Sequence, residues 1–206
     1  MKRNNNSSTN SNRAGITAEM KADIEKAVAT LQNGGIILYP TDTVWGIGCD
    51  ATRADAVEKI YNLKGKHEYR SMLILLGNEN LLTRYVADVP EIAWQLLEVS
   101  DKPTTIIYPG GRNVAENLIP EDGSLGIRIP KDTFCEALLW QFKKPIVSTS
   151  ANIHECPTPL IFTDIDERIK AGVDYVVNWK QNDNTKKSAS SIIKLSAKGE
   201  IKIIRA

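Results

Sequence analysis

The chain has 206 residues and a mass of 22.8 kDa, enough for one sizeable core and too little for two ordinary domains. With 42% hydrophobic and 25% charged residues, a mean hydropathy of -0.27 and no apolar run near the ~20 residues of a membrane helix, its composition excludes a membrane or a disordered protein. Lys and Arg number 26 against 25 Asp and Glu, which excludes a protein that coats nucleic acid by bulk charge, so any polyanion must be met locally. The first 13 residues are polar, contain no acid and carry Lys2, Arg3 and Arg13, leaving the remainder slightly acidic. They lack the apolar stretch of a secretory signal, and the expectation is a disordered extension over 1–13, a domain over 14–206 and a cytoplasmic protein. Cys49, Cys135 and Cys156 have no CxxC spacing, which argues against a disulfide framework or a zinc site and for buried or idle thiols.

In chain order, Met20, Ile24, Ala27, Val28 and Leu31 form the stripe of an amphipathic helix that Thr17 can cap and Asn33-Gly34-Gly35 can end. Ile36 to Tyr39, before Pro40, reads as a buried strand. Thr52 and Asp55 resemble a capping box for a helix from about 53 to 63, and Met72 to Leu76 is a second buried strand. Pro90 suits the first turn of a helix with Ile92, Ala93, Leu96 and Leu97 inward. Strands are expected at Thr104 to Tyr108, Leu125 to Ile129, Pro145 to Ser148, Tyr175 to Val177, Ser191 to Leu195 and Ile201 to Ile204, with helices over 132–142 and 163–171. Strands and helices alternate until the last two strands, which the short Ser196–Glu200 link joins like a hairpin. The expected fold is therefore α/β: one domain, with a twisted mixed parallel and antiparallel sheet and flanking helices.

Thr41-Asp42-Thr43 puts three small polar side chains at the end of a buried strand, where open α/β sheets bind ligands. Asp42 can hold a cation or a substrate amine, although an ordinary turn bonded to its own backbone is an equal alternative here. Gly46 to Ala51 matches GxGxxA, with Glu68 at a suggestive distance, yet five residues separate it from the strand and the helix starts later, so it reads as a decoy for a dinucleotide fingerprint. The cations of Lys64-Gly65-Lys66-His67-Glu68-Tyr69-Arg70 can converge on one mouth of the sheet and suit a triphosphate, unless they are simply solvated loop surface. Ser148-Thr149-Ser150-Ala151-Asn152, directly after an apolar strand, forms a candidate nest for a phosphate or carboxylate. Neither His67 nor His154 has the context of a nucleophile's base, and His154-Glu155-Cys156 is poorly spaced for one metal ion.

Taken together, YPTDTVWGIGCDA, the KGK segment followed by Arg70 and an apolar strand, SLGIRIP, PIVSTSAN and the closing SSIIKL with Arg205 resemble the YrdC-like family, the threonylcarbamoyl-AMP synthases. The resemblance spans about residues 17 to 206 and is to the family's short single-domain form. It implies a YrdC/RibB-like fold with a concave, positively lined cavity. It also implies a nucleotidyltransferase that joins L-threonine, bicarbonate and ATP into threonylcarbamoyl-adenylate and pyrophosphate, with Mg²⁺ accompanying the ATP. The product would pass to a tRNA-modifying threonylcarbamoyl transferase complex, and related domains have been credited with binding double-stranded RNA or tRNA.

Carried over residue by residue, the resemblance implies threonine contacts at Thr43, Arg128, Ser148 and Ser190. It implies ATP contacts at Lys64, Lys66, Arg70, Ser124, Ser150, Thr158 and Arg205, with Lys64 and Lys66 the catalytic pair and no metal ligand among the side chains. Such a site needs no protein nucleophile, because it works by positioning anions and neutralising their charge. The family's usual Lys-x-Arg reads Lys64-Gly65-Lys66 here, the proline after the next cation is Ser71, a common histidine is Leu75, and a common acid in the penultimate strand is Lys194. The alternatives are an RNA-binding paralogue of the same fold, which the slightly acidic body disfavours, and a carbamoyl-transfer domain of the kind embedded in larger hydrogenase-maturation proteins.

Overall fold

The computed structural model of the protein describes residues 15–65 and 72–206. Helix α1 (Ala18–Gln32) starts where the Thr17 hydroxyl accepts the Met20 amide at 3.1 Å, and it buries Met20, Ile24, Ala27, Val28 and Leu31. Strand β1 (Ile37–Tyr39) turns through residues 40–45 into β2 (Gly46–Gly48), its antiparallel neighbour. No sequence signal marks Gly46–Gly48 as a strand, because glycines weaken one and no side-chain alternation is present. Tertiary packing decides otherwise. A Cβ on Gly48 would lie 2.6 Å from the Val147 carbonyl oxygen and 2.8 Å from the Tyr39 ring, so this glycine lets β6 and a buried tyrosine close on the strand.

Helix α2 (Ala54–Lys64) has Arg53 at its N-cap position, with no side-chain cap bond, and no Thr52 capping box. Thr52 instead gives its amide and hydroxyl to the Asp50 carboxylate, at 2.8 and 2.6 Å, while Asp55 turns to Arg53 at 2.7 Å. Strand β3 (Leu73–Leu75) leads to α3 (Leu82–Tyr85) and α4 (Glu91–Val99), which Pro90 precedes as the cap. Strands β4 (Thr104–Tyr108) and β5 (Leu125–Arg128) follow, then α5 (Thr133–Phe142), capped by the Asp132 carboxylate, and β6 (Ile146–Ser150). The helix expected over 163–171 divides into a 3₁₀ turn, Phe162–Asp164, and α6 (Glu167–Gly172), because Asp166 starts a new helix by accepting the Arg168 amide. Strands β7 (Tyr175–Val176), β8 (Ser191–Leu195) and β9 (Ile201–Arg205) complete the described chain, the last two paired as the expected hairpin.

The sheet runs β7-β1-β2-β6-β3-β5-β4-β8-β9, with β7–β1, β3–β5 and β4–β8 parallel and the other neighbours antiparallel. One face packs Ile47, Ile74, Val147, Ile106 and Ile127 against α2, α4 and α6. On the other, α1 and α5 cover Ile37, Tyr39, Leu75 and Ile146, and no residue of β4, β8 or β9 joins that cluster. Among the described residues, the second face is thus sealed at the β1–β6–β3 end and carries no apolar cover at the other. Among the described residues, no helix is long and apolar enough to cross a membrane.

Candidate functional site

Register places the polar side chains. Leu75, covered by α5, pairs with Arg128 on β5 and Ile146 on β6, and Arg128 pairs with Thr105 on β4. Directly paired residues share a face, and so do positions two apart along a strand. Arg128, Thr105, Ser148 and Ser150 therefore stand on the α1/α5 face, at the border of its uncovered end. Lys194, Lys202 and Arg205 belong to the same face, since Thr105 pairs with Ile192, Ile107 with Lys194, Lys194 with Lys202 and Ile192 with Arg205. Ser148, Thr149 and Ser150 lie within β6 and not in a loop beyond it, so the candidate nest is built on a rigid strand.

The turn after β1 reaches over this border. The Thr41 hydroxyl takes the Thr43 amide at 3.0 Å, gives its proton to the Val44 carbonyl at 2.7 Å and lies 2.9 Å from the Thr43 hydroxyl. Between them Asp42 approaches Arg128, with Nη2 to Oδ1 at 3.2 Å and side chains only 7% and 4% exposed. Burial raises the Asp42 carboxyl above its ordinary value, opposed by the Arg128 guanidinium and reinforced by the Asp132 charge. Tyr39 stands beside them, its hydroxyl pushed far up by burial, with Ser148 and Arg128 opposing the rise. A shallow recess at this turn is lined by Thr41, Thr43, Trp45, Lys180, Thr185 and Lys187, and Lys187 Nζ donates to the Thr41 carbonyl at 3.1 Å.

A second group sits at the β8 end. The Ser190 and Thr105 hydroxyls are 2.8 Å apart, and Arg205 Nε donates to the Ser190 carbonyl at 2.8 Å. Ser124 is buried and gives its hydroxyl to Asp122 at 2.6 Å, while Asp122 also receives Lys194 Nζ at 2.6 Å. Those bonds hold the Asp122 carboxyl down at about 2. Lys64, buried at the end of α2, donates to the Ser150 and Asn152 carbonyls, both at 2.6 Å, and the Ser150 hydroxyl meets Asn152 Oδ1 at 2.5 Å. Thr158 is exposed, on the wall of a separate hollow shared with Asn152, Cys156 and Asp164.

The structure thus gathers Thr43, Arg128 and Ser148 at one end of the face and Ser190 with Arg205 at the other, joined through the Thr105–Arg128 pairing. Ser124 belongs to the Asp122–Lys194 group, Ser150 and Lys64 to the α2–β6 junction, and Thr158 to the hollow beside that junction, which Asn152 shares with it. Lys66 and Arg70 lie outside the described residues. Sequence reading did not single out Thr105, Asp122 or Lys187. Thr105 follows Thr104 at the polar start of a strand that is apolar from Ile106 on, and Asp122 stands two residues before Ser124 at the spacing of an Asx turn, so both left a faint signal. Lys187 left none. No group of three or more His, Cys, Asp or Glu side chains converges among the described residues, so they offer no cage for Mg²⁺.

A family model, Sua5_yciO_yrdC, described as telomere recombination, matches residues 29–206. The chain is 30% identical over 197 residues to the threonylcarbamoyl-AMP synthase of Homo sapiens, covering 94% of this chain and 68% of that one. It is 28% identical over 171 residues to the synthase of Pseudoalteromonas translucida, covering 82% and 91%. Among solved structures it is similar to E. coli YciO, with TM-score 0.77 and 22% identity over 90% of this chain and 89% of that one. It is also similar to P. abyssi Sua5 complexed with L-threonine, with TM-score 0.74 and 22% identity over 84% of this chain; it spans about half the length of that protein, 50%. With the family model matching residues 29–206, the chain belongs to the Sua5/YciO/YrdC family.

Proposed function

We propose that this chain is a threonylcarbamoyl-AMP synthase, converting L-threonine, bicarbonate and ATP into threonylcarbamoyl-adenylate and pyrophosphate for tRNA modification in the cytoplasm. The observation that carries the reading is the buried Arg128 guanidinium, grouped with Thr43 and Ser148 at the edge of a rigid, half-covered sheet face. A planar guanidinium suits a carboxylate, and the adjacent hydroxyls suit a small polar side chain. The curated relatives bearing the synthase name support the same reading.

In this reading Thr43, Arg128, Ser148 and Ser190 hold threonine, while Ser124, Ser150, Thr158 and Arg205, together with Lys64, Lys66 and Arg70, serve ATP. Bicarbonate condenses with the threonine amine, and the carbamate oxygen attacks the α-phosphorus as pyrophosphate leaves. The chain's part is to bring mutually repelling anions together and balance their charge, so no side chain forms a covalent bond. Mg²⁺ would arrive on the triphosphate, whose oxygens are the hard donors it prefers. The downstream partner is a threonylcarbamoyl transferase complex, with tRNA as the eventual substrate.

The test is pyrophosphate release from ATP by the purified chain. Release should require both L-threonine and bicarbonate; release indifferent to either, or none with all three present, overturns the proposal.

A further inference from the structure

We propose that residues 180–189 form a strap that shuts the turn after β1, and that the Lys187 ammonium is the latch that must leave the Thr41 carbonyl before a ligand enters beneath it. The proposal deepens the reading above and rests on it only for the identity of that ligand.

The strap follows from strand order. Strand β7 lies at one edge of the sheet and β8 next to the other edge, so the link between them passes β1, β2, β6, β3, β5 and β4. At ~4.8 Å per strand that course is about 34 Å, and residues 177–190 reach about 48 Å when fully extended, so the link runs largely stretched out. Its two ends are held on one face. The Trp179 amide donates to Asp23 of α1 at 2.6 Å, the Trp179 ring packs against the α1/α5 cluster, and the Ser190 hydroxyl meets Thr105 at 2.8 Å. The link therefore travels along the α1/α5 face, from its covered end toward the end without apolar cover.

Between these anchors little holds it. Residues 180–189 carry no apolar side chain larger than that of Ala189, and none of them is buried. Asp183 donates its amide to the Lys180 carbonyl at 3.1 Å and Thr185 donates its own to the Asp183 carboxylate at 2.9 Å, both within the segment. Among the described residues, the one hydrogen bond that ties residues 180–189 to a distant part of the fold is Lys187 Nζ to the Thr41 carbonyl, at 3.1 Å. A segment with exposed backbone and no buried apolar contacts opens at low cost, and Lys180, at a left-handed φ of 64°, bends the chain where it begins.

Closed, the strap leaves no room for a substrate beneath it. Thr43 and Trp45 of the turn and Lys180, Thr185 and Lys187 of the strap line a recess of about 20 Å³, the space of one water molecule. Thr41 and Thr43 are each only 4% exposed. A ligand that reaches the Thr43 hydroxyl from this side displaces the strap. The latch also sits on the turn it guards, because the Thr41 that accepts Lys187 is the residue whose hydroxyl takes the Thr43 amide. A ligand that shifts Thr43 thus works on the latch, and the latched fraction of the chain is withheld from binding.

The experiment reads access to Thr43 without any substrate. In a Cys156→Ser background, where the remaining Cys49 and Cys135 are buried, Thr43→Cys is labelled with dithiobis(nitrobenzoate), with and without Lys187→Met. Lys187→Met should speed labelling at least ~5-fold, a gain that loss of a neighbouring cation cannot mimic, since it disfavours the reactive thiolate. Unchanged or slower labelling overturns the proposal. If Thr43→Cys fails to fold by circular dichroism, tryptic cleavage after Lys180 and Lys186 in the otherwise wild-type chain takes its place. Lys187→Met should raise that cleavage at least ~3-fold, and an unchanged rate overturns the proposal. Where wild type binds L-threonine, stopped-flow association should be faster and affinity higher in Lys187→Met. Unchanged binding means that the strap shuts nothing, weaker binding means that Lys187 holds the ligand itself, and either overturns the proposal. Faster labelling in a chain that neither binds L-threonine nor releases pyrophosphate supports the strap and overturns the synthase reading. Pyrophosphate release with unchanged labelling does the opposite.

Discussion

Lys64, the last residue of α2, donates its buried ammonium to the carbonyl of Ser150, the last residue of β6, at 2.6 Å, and to the Asn152 carbonyl at the same distance. A cation expected from sequence to meet a triphosphate therefore also fixes the end of the strand that carries Ser148 and Ser150. Removing it exposes two carbonyls to the loss of charge-assisted bonds worth about 1.5–3 kcal/mol each, partly offset by relaxation. Lys64→Met should accordingly lose roughly 2–4 kcal/mol of stability, seen as a fall in Tm of roughly 5–15 °C for a chain of this size. ATP titrations below the new Tm should show weakened binding as well. An unchanged Tm would place the Lys64 ammonium elsewhere.

Gly48 makes a prediction about packing. Its missing Cβ leaves room for the Val147 carbonyl and the Tyr39 ring, which would stand 2.6 and 2.8 Å from an added carbon. Both neighbours are fully buried and neither can withdraw, so Gly48→Ala should destabilise by about 1–3 kcal/mol, the usual penalty of overpacking. Urea denaturation measures this. Gly65→Ala is the contrast, since no described residue lies within 4 Å of its added carbon and the cost among them is only that of a left-handed φ of 65°.

Asp122 makes a prediction about pH. Lys194 and then Ser124 hold its carboxyl at about 2, below the ordinary 3.8. The stabilisation is complete above 3.8 and is lost as pH falls through about 2. The pair is about half exposed, with side chains 40% and 51% accessible, so its worth stays below about 1 kcal/mol and shrinks with salt. In a ¹³C carboxyl titration, Lys194→Met should raise the Asp122 pKa toward 3.8, with Ser124 still holding it somewhat low. An Asp122 resonance that ignores the substitution would show that the ion pair does not form in solution.

Sequence reading located most elements because their signals are local. The Met20 to Leu31 stripe, the Thr17 cap and the apolar runs at 36–39 and 104–108 each follow from side chains within a few positions. It failed where distant contacts outweigh local preference. Gly46-Ile47-Gly48 forms a strand because β1 and β6 flank it, and Thr52 serves Asp50 because the chain turns there before α2. In the same way, Thr105 gains meaning only through its pairing with Arg128 and its contact with Ser190, 85 positions away.

The sequence by itself determined the class of fold, the family motifs and the residue types of the site: hydroxyls, cations and Asp42 at strand ends. Only the tertiary structure decided which of them meet. Sheet order sets β6, β3, β5, β4 and β8 side by side, so residues from far-apart motifs share one face, and helices α1 and α5 pack on only its β1–β6–β3 end. Burial and mutual distance then separate a desolvated Asp42–Arg128 ion pair from a Lys64 whose ammonium is bonded to strand-end carbonyls. Charge and hydrogen-bonding type are properties of a residue and legible in sequence; desolvation and the lack of a partner are properties of its surroundings, which only folding creates.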